Sequence, residues 1–251
     1  MRYKLEISYD GTNYSGFQIQ PNKDTIQKRL EDAMMHVYRD EIDIVASGRT
    51  DAGVSAICQV CHFDTECNVD TRRDVGYLNS ILPENIRVLS ISEASVDFHA
   101  RKSAKNKTYI YNFYTGREIP VYDKFATNIG YNLDIEKMKE ACRYIQGEHD
   151  FTAFCASNTA VVDKVRIVYD IKIIDLGENL YRMEITGNGF LYNMVRIIMG
   201  TLVSVGMGKI RPEDIVQIIE SKNRANSGKT MPAKGLVLKK VIYSNVWLSN
   251  A

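Results

Sequence analysis

The chain has almost no net charge: 32 Lys and Arg oppose 31 Asp and Glu, a balance of +1. Such a balance does not announce a nucleic-acid binder, yet it leaves room for one, because a groove can be locally basic on a neutral protein. No apolar run reaches the roughly 18 residues a membrane helix needs. The chain opens on a strand-like segment, so no signal peptide is expected. Cysteine is sparse and odd in number, at 5, which argues against a complete set of internal disulfides and reads as a reduced, cytoplasmic protein. Cys58, Cys61, His62 and Cys67 have the ligand types of a structural zinc site. Cys58 and Cys61 lie in an alternating run, however, where an odd spacing sends side chains to opposite faces, so no metal is expected. No repeat is visible at the residue level. What is present is the material of a core: 45% of the 251 residues are hydrophobic, enough for one large domain or two modest ones.

From Met1 to Asp10 the chain alternates as a strand, with Tyr3, Leu5, Ile7 and Tyr9 on one face. Residues 11–21 are rich in turn formers and amides and read as a connector. Asp24 or Thr25 caps a helix that runs to about Tyr38, striped by Ile26, Leu30, Ala33, Met34 and Val37, and Gln27 has capping-box spacing from Asp24. Strands are expected at Ile42–Ala46, Val54–Phe63 and Ile86–Ile91, with a helix over Arg72–Leu82. The order strand, helix, strand, strand, helix, strand is that of a ferredoxin-like domain. A basic stretch, Ser92 to Asn106, then serves as a hinge. A second series follows: a strand over Lys107–Thr115, a helix capped by Asp134, a hairpin of Val165–Ile174 with Leu180–Thr186, an apolar helix from Phe190 to about Val205, a helix opened by Pro212, and a strand over Leu236–Tyr243.

Four stretches do not read as packing alone. In Ser47-Gly48-Arg49-Thr50-Asp51-Ala52-Gly53, two glycines bracket a guanidinium and a carboxylate on a loop between strands. It is either a tight turn with a solvated salt bridge or a chemical site. In the apolar helix, Asn193, Arg196, Gly200 and Ser204 form one narrow polar or small stripe. A buried arginine stripped of its partner costs about 3–5 kcal/mol, so Arg196 needs an acidic partner or a water-filled cleft; Asp51 is the functional candidate for that partner. Lys107-Thr108-Tyr109-Ile110-Tyr111, preceded by Arg101, Lys102 and Lys105, interleaves cations with rings as an RNA surface would, although strand aromatics are also core residues. Arg224 to Leu236, with Gly228, Lys229 and Lys234, is either a lid or a plain surface loop.

Several spaced blocks resemble the TruA-type transfer-RNA pseudouridine synthases: Tyr9-Asp10-Gly11 with Tyr14 to Gln18, Gly48 to Val54, Phe98 to Arg101 leading into Lys107-Thr108-Tyr109, His149-Asp150-Phe151, Phe190 to Arg196, and Pro232 to Leu236. They run in order along nearly the whole chain. The resemblance implies an α+β chain of two ferredoxin-like or RRM-like α/β domains, whose antiparallel sheets form an extended sheet around a central RNA-binding cleft. Residues 1–104 would carry the catalytic Asp loop, and residues 105–251 the tyrosine and arginine of the cleft. It implies isomerisation of uridine to pseudouridine in the anticodon stem-loop, at positions 38, 39 and 40, without a cofactor. Ribosomal RNA is an alternative target, and a non-catalytic RNA-binding module an alternative reading. By the same resemblance Asp51 is the catalytic aspartate, while Tyr109, Arg196, Arg49 and Leu236 bind the substrate. Arg101, Lys102, Lys105, Lys107 and Lys229 are the expected RNA contacts, and the chain is expected to be a cytoplasmic homodimer. One departure stands out: the family usually reads Gly-Val-His-Ala where this chain has Gly53-Val54-Ser55-Ala56.

Overall fold

The computed structural model describes residues 1–157, 159 and 161–244. The fold is mixed α/β, with five α-helices among the described residues. Contacts divide the chain into two units, Met1–Lys105 with the residues from Val237 onward, and Asn106–Leu236. Among the described residues no helix is long and apolar enough to cross a membrane, and no cluster of histidine, cysteine or carboxylate has the makings of a metal site.

The first unit begins with β1 (Arg2–Tyr9), whose alternate residues are buried as the sequence pattern requires. It continues with α1 (Ile26–Tyr38), a two-residue β2 (Val45–Ala46), β3 (Ser55–Asp64), α2 (Arg73–Ile81) and β4 (Ile86–Ala94). β1 lies between β4 and β3, antiparallel to both; β2 pairs antiparallel with the far end of β3, Val45 opposite His62. Leu5 and Ile7 are fully buried, as are Met34 of α1 and Leu78 of α2, each such side chain contributing about 1.5–3 kcal/mol of apolar burial. Thr25 rather than Asp24 caps α1, its hydroxyl accepting from Lys28 N at 3.4 Å. Gln27 forms no capping box: its amide donates to Glu31 and to the Ile44 carbonyl.

The second unit holds β5 (Asn106–Thr115), β6 (Thr127–Ile129), α3 (Ile135–Ile145), β7 (Gly147–Asp150), β8 (Val165–Asp175), β9 (Leu180–Gly187), α4 (Met194–Gly206) and α5 (Asp214–Ser221). Its strands run in the order β5-β9-β8-β7, with β8 and β9 forming the expected hairpin and the short β6 parallel to β5. α4 is buried along almost its whole length, as its apolar sequence demands. It begins at Met194 and not at Phe190, because Asn193 is in the left-handed region, at φ 60, which a helix interior does not accommodate and asparagine tolerates.

The final strand, β10 (Leu236–Ile242), corrects the expected 105–251 division. Val237 and Leu238 pair in parallel with Ser55 and Ala56 of β3, so the chain from Val237 onward groups with the first unit. An element's spatial partner is not encoded in its sequence neighbours.

Candidate active site

The Ser47–Gly53 turn leaves β2 and enters β3. Its incoming side is fixed from β3: Ser47 Oγ donates to Gln59 Oε1 at 2.6 Å, and Gln59 Nε2 donates to the Gly48 carbonyl at 2.9 Å. Its outgoing side is fixed by residues 11–17, part of the 11–21 stretch expected to be a mere connector. Phe17 N donates to Thr50 O at 3.0 Å. Gly16, at φ +96, lies so close that a Cβ there would stand 2.9 Å from Thr50 O and 3.3 Å from Ala52 N. A Cβ on Gly11 would strike the Val54 carbonyl. Beneath the turn, the buried hydroxyls of Tyr9 and Thr50 are 2.8 Å apart. Tyr14 OH donates to Asn85 Oδ1 at 2.8 Å, anchoring the same loop to the approach to β4. On this bed Asp51 is half-buried and Arg49 exposed.

Ser55, where the resembling family carries histidine, closes the other edge of this bed. Its hydroxyl accepts from Gly11 N at 3.1 Å and donates to Asp10 Oδ1 at 3.5 Å. The serine therefore links the loop and the turn through atoms an imidazole would place differently.

In the second unit, β5 separates the three rings that the sequence put on one face. Tyr111 and Phe113 are fully buried. Tyr109 is half-buried, its ring edge-on to Phe190 at 5.2 Å and 85°. Tyr111 is structural: its hydroxyl is 2.8 Å from both Thr127 Oγ1 and the Pro232 carbonyl. Burial raises its ionisation well above that of an ordinary phenol, with nearby Arg196 acting in the opposite sense.

Arg196 is half-buried on α4. Nη1 donates to Asn193 Oδ1 at 2.8 Å and Nε to the Met231 carbonyl at 2.6 Å. Met231 N returns a bond to the Arg196 carbonyl at 3.2 Å. Arg196 and Gly200 of the stripe thus seat the 224–235 loop, which is neither a lid nor a plain surface loop but a strap. A Cβ on Gly200 would collide with the Lys229 carbonyl, and one on Gly228 with the Gly200 backbone. Gly228 N donates to Thr201 Oγ1 at 2.8 Å, and Ser227 Oγ donates to the Ala153 carbonyl at 2.6 Å. At the strap's end Leu236 is buried.

Within the second unit, then, Tyr109 and Arg196 lie on elements that the strap ties together, through Tyr111 on β5 and Arg196 itself on α4. The expected RNA-contacting residues are dispersed. Arg101, Lys102 and Lys105 are exposed between β4 and β5, Lys107 is half-buried at the start of β5, and Lys229 is exposed on the strap. Sequence reasoning missed Gly11, Gly16, Gly200 and Gly228 as backbone contact points. The signal was there, since each is a glycine adjoining a motif, but the partner segments are distant in the chain.

The family model described as tRNA pseudouridine synthase matches residues 7–101 and 141–244. A tRNA pseudouridine synthase A of Bacillus licheniformis is 48% identical over 98% of this chain and 100% of its own length. Those of Bacillus pumilus and Bacillus subtilis are 46% and 45% identical over the same shares. The chain belongs to the tRNA pseudouridine synthase family.

Proposed function

We propose that the chain converts uridine to pseudouridine in the anticodon stem-loop of transfer RNA, at positions 38, 39 and 40. The observation that carries this reading is the end-to-end match to tRNA pseudouridine synthase A proteins, which includes the turn bearing Asp51. The reaction breaks the bond from ribose C1′ to uracil N1, turns the base, and joins C1′ to C5; a proton leaves C5 and one is taken up at N1. Nothing is oxidised or reduced. Asp51 is the catalytic carboxylate, acting in its ionised form. Tyr109, half-buried with its ring edge-on to Phe190, lies against the target uracil, and Arg196, Arg49 and Leu236 complete the substrate contacts. The target leaves its stack at a cost of a few kcal/mol, least in loops, and an aromatic ring and a guanidinium stabilise an extruded base by stacking.

In this reading the first unit is a ferredoxin-like domain carrying the catalytic loop, supported by its strand order β4-β1-β3-β2 and antiparallel pairings. The second carries the tyrosine and arginine of an RNA-binding cleft. The protein works as a cytoplasmic homodimer, an assembly that light scattering tests. The reaction itself is tested by Asp51→Asn, which abolishes release of tritium from C5-labelled uridine in tRNA while RNA binding survives; retained turnover sinks the assignment. Mapping pseudouridine in transfer and ribosomal RNA with and without the gene tests the target.

A further inference from the structure

Arg101, Lys102 and Lys105 are exposed, and none forms an ion pair among the described residues. Yet the backbone that carries them is held at almost every step. Arg2 Nη1 donates to the carbonyls of Val96 and Phe98 at 2.7 and 2.8 Å. Ala100 N donates to His62 Nδ1 at 3.2 Å, and Tyr243 OH donates to the Ala100 carbonyl at 2.7 Å. Arg101 N and Lys102 N both donate to His99 Nδ1, at 3.2 and 3.3 Å. His99 N donates to Ser103 Oγ at 3.0 Å, Ser103 N to the His99 carbonyl at 2.8 Å, and Lys105 N to the Ile242 carbonyl at 2.8 Å. A segment so thoroughly pinned, which beyond the exposed Ser95, Val96 and Asp97 presents Arg101, Lys102 and Lys105 outward, has at its cationic end the chemistry of a phosphate-backbone contact.

The pinning depends on two imidazoles. A neutral imidazole has one acceptor nitrogen, and in both His62 and His99 that nitrogen is Nδ1, engaged by backbone N–H groups. Protonation there sets donor against donor and breaks three bonds. It also puts positive charge on rings whose centroids are 4.9 Å apart. The surrounding groups do not relieve this. β1 supplies Arg2, and Lys4 over the Tyr243 ring. β3 supplies Asp64, already paired in bidentate fashion with Arg2 at 2.6 and 2.8 Å; Asp97 also acts on Arg2. Burial first, then Arg2 and His99, keep His62 below the ordinary imidazole value, against the weaker pull of Asp64.

We propose that residues 95–105 form an arm that binds the RNA backbone, and that His99, backed by His62, is the positioning residue that keeps the arm formed while both rings are neutral. The proposal rests on the RNA reading above. It makes a prediction opposite to simple electrostatics: acidification makes a protein more positive and tightens its grip on RNA, whereas here it loosens the arm.

The test is equilibrium binding of an unmodified tRNA transcript, at fixed salt, between about pH 8 and about pH 5.5, a window spanning the ordinary imidazole value near ~6.5. Wild-type affinity falls about tenfold across it, since a group that must stay neutral weakens binding up to about tenfold per pH unit below its pKa. His99→Asn keeps an acceptor for the N–H two residues on and does not titrate, so it binds like wild type at the upper pH and weakens less than wild type on acidification, only the bond at His62 being left to break. Arg101→Ala with Lys102→Ala, both at exposed positions, leaves the unfolding midpoint unchanged, lowers affinity about tenfold and reduces the salt slope by about two. Wild-type binding that tightens on acidification, in step with His99→Asn, overturns the positioning role. A double variant with wild-type affinity and salt slope overturns the arm. The same transcript assayed for pseudouridine separates the two readings: arm-dependent binding without isomerisation sinks the reaction and leaves the arm, while isomerisation with affinity indifferent to both cations sinks the arm and leaves the reaction.

Discussion

The two units secure their candidate residues by the same device in different settings. In the first, a loop lies on a loop: Gly16 and Gly11 let residues 10–17 approach the backbone of the Thr50–Val54 segment, and the residue held is Asp51 itself, one bond from the contact. In the second, a loop lies on a helix: Gly200 and Gly228 let the strap touch α4, and the group held is the tip of a long side chain, steered by the Met231 carbonyl. An irregular turn has no helix ladder to resist displacement, so an error at Gly16 moves the carboxylate directly. α4 is buried along its length, so an error at Gly228 is resisted locally and registers as lost stability. Short side chains take their position from the backbone; long ones take it from what surrounds their ends.

The sharpest way to break that contrast is Gly16→Ala. It moves the Asp51 backbone, and a misplacement of about 1 Å costs on the order of 100-fold in rate, so kcat falls about that much while the thermal midpoint drops modestly. Gly228→Ala should do the reverse: a midpoint lowered by the equivalent of about 3 kcal/mol, with the folded fraction turning over within severalfold of wild type. If the two variants exchange these phenotypes, the contrast is inverted. Smaller effects refine it. Tyr9→Phe and Tyr111→Phe each remove one buried hydroxyl, at about 1 kcal/mol per hydrogen bond lost in chemical denaturation, but only Tyr9→Phe, beneath Thr50, lowers kcat as well. The smallest expected effect is on stability against pH. The His62 value lies below its unfolded value, so the unfolded chain takes up the proton first. Stability is therefore fully present above about pH 6.5 and declines as the pH falls below it, by less than the carboxylates contribute at lower pH. His62→Asn removes that segment of the curve.

The regular elements were legible because their residues repeat. The alternation of Tyr3, Leu5, Ile7 and Tyr9 and the stripe of Ile26, Leu30, Ala33 and Met34 specify β1 and α1 to within a residue or two. The turn around Asp51 was legible as a glycine-bracketed anomaly. Its support was not, because Gly16 and Thr50 are joined by backbone contact, which leaves no pattern in side-chain chemistry. β6 and β7 escaped for another reason: three or four residues are too few to establish a period. The stripe on α4 was visible, but small and polar residues at Gly200 and Ser204 announce only that something comes close. That it is the chain's own 224–235 strap depends on long-range folding. Asn193 was hidden among apolar neighbours, and a single left-handed residue moved the start of α4 by a full turn.

The parallel pairing of Val237 and Leu238 with Ser55 and Ala56 has a consequence in time as well as in space. Synthesis proceeds from the N-terminus at roughly 5–20 residues per second, and the whole of Asn106–Leu236 separates Lys105 from Val237. For on the order of ten seconds the nascent first unit exists without β10, with the start of β3 open along that edge. The residues that begin β3 follow directly on the turn bearing Asp51, so the strand that this turn leads into gains its β10 neighbour only after the whole of the second unit has been synthesised.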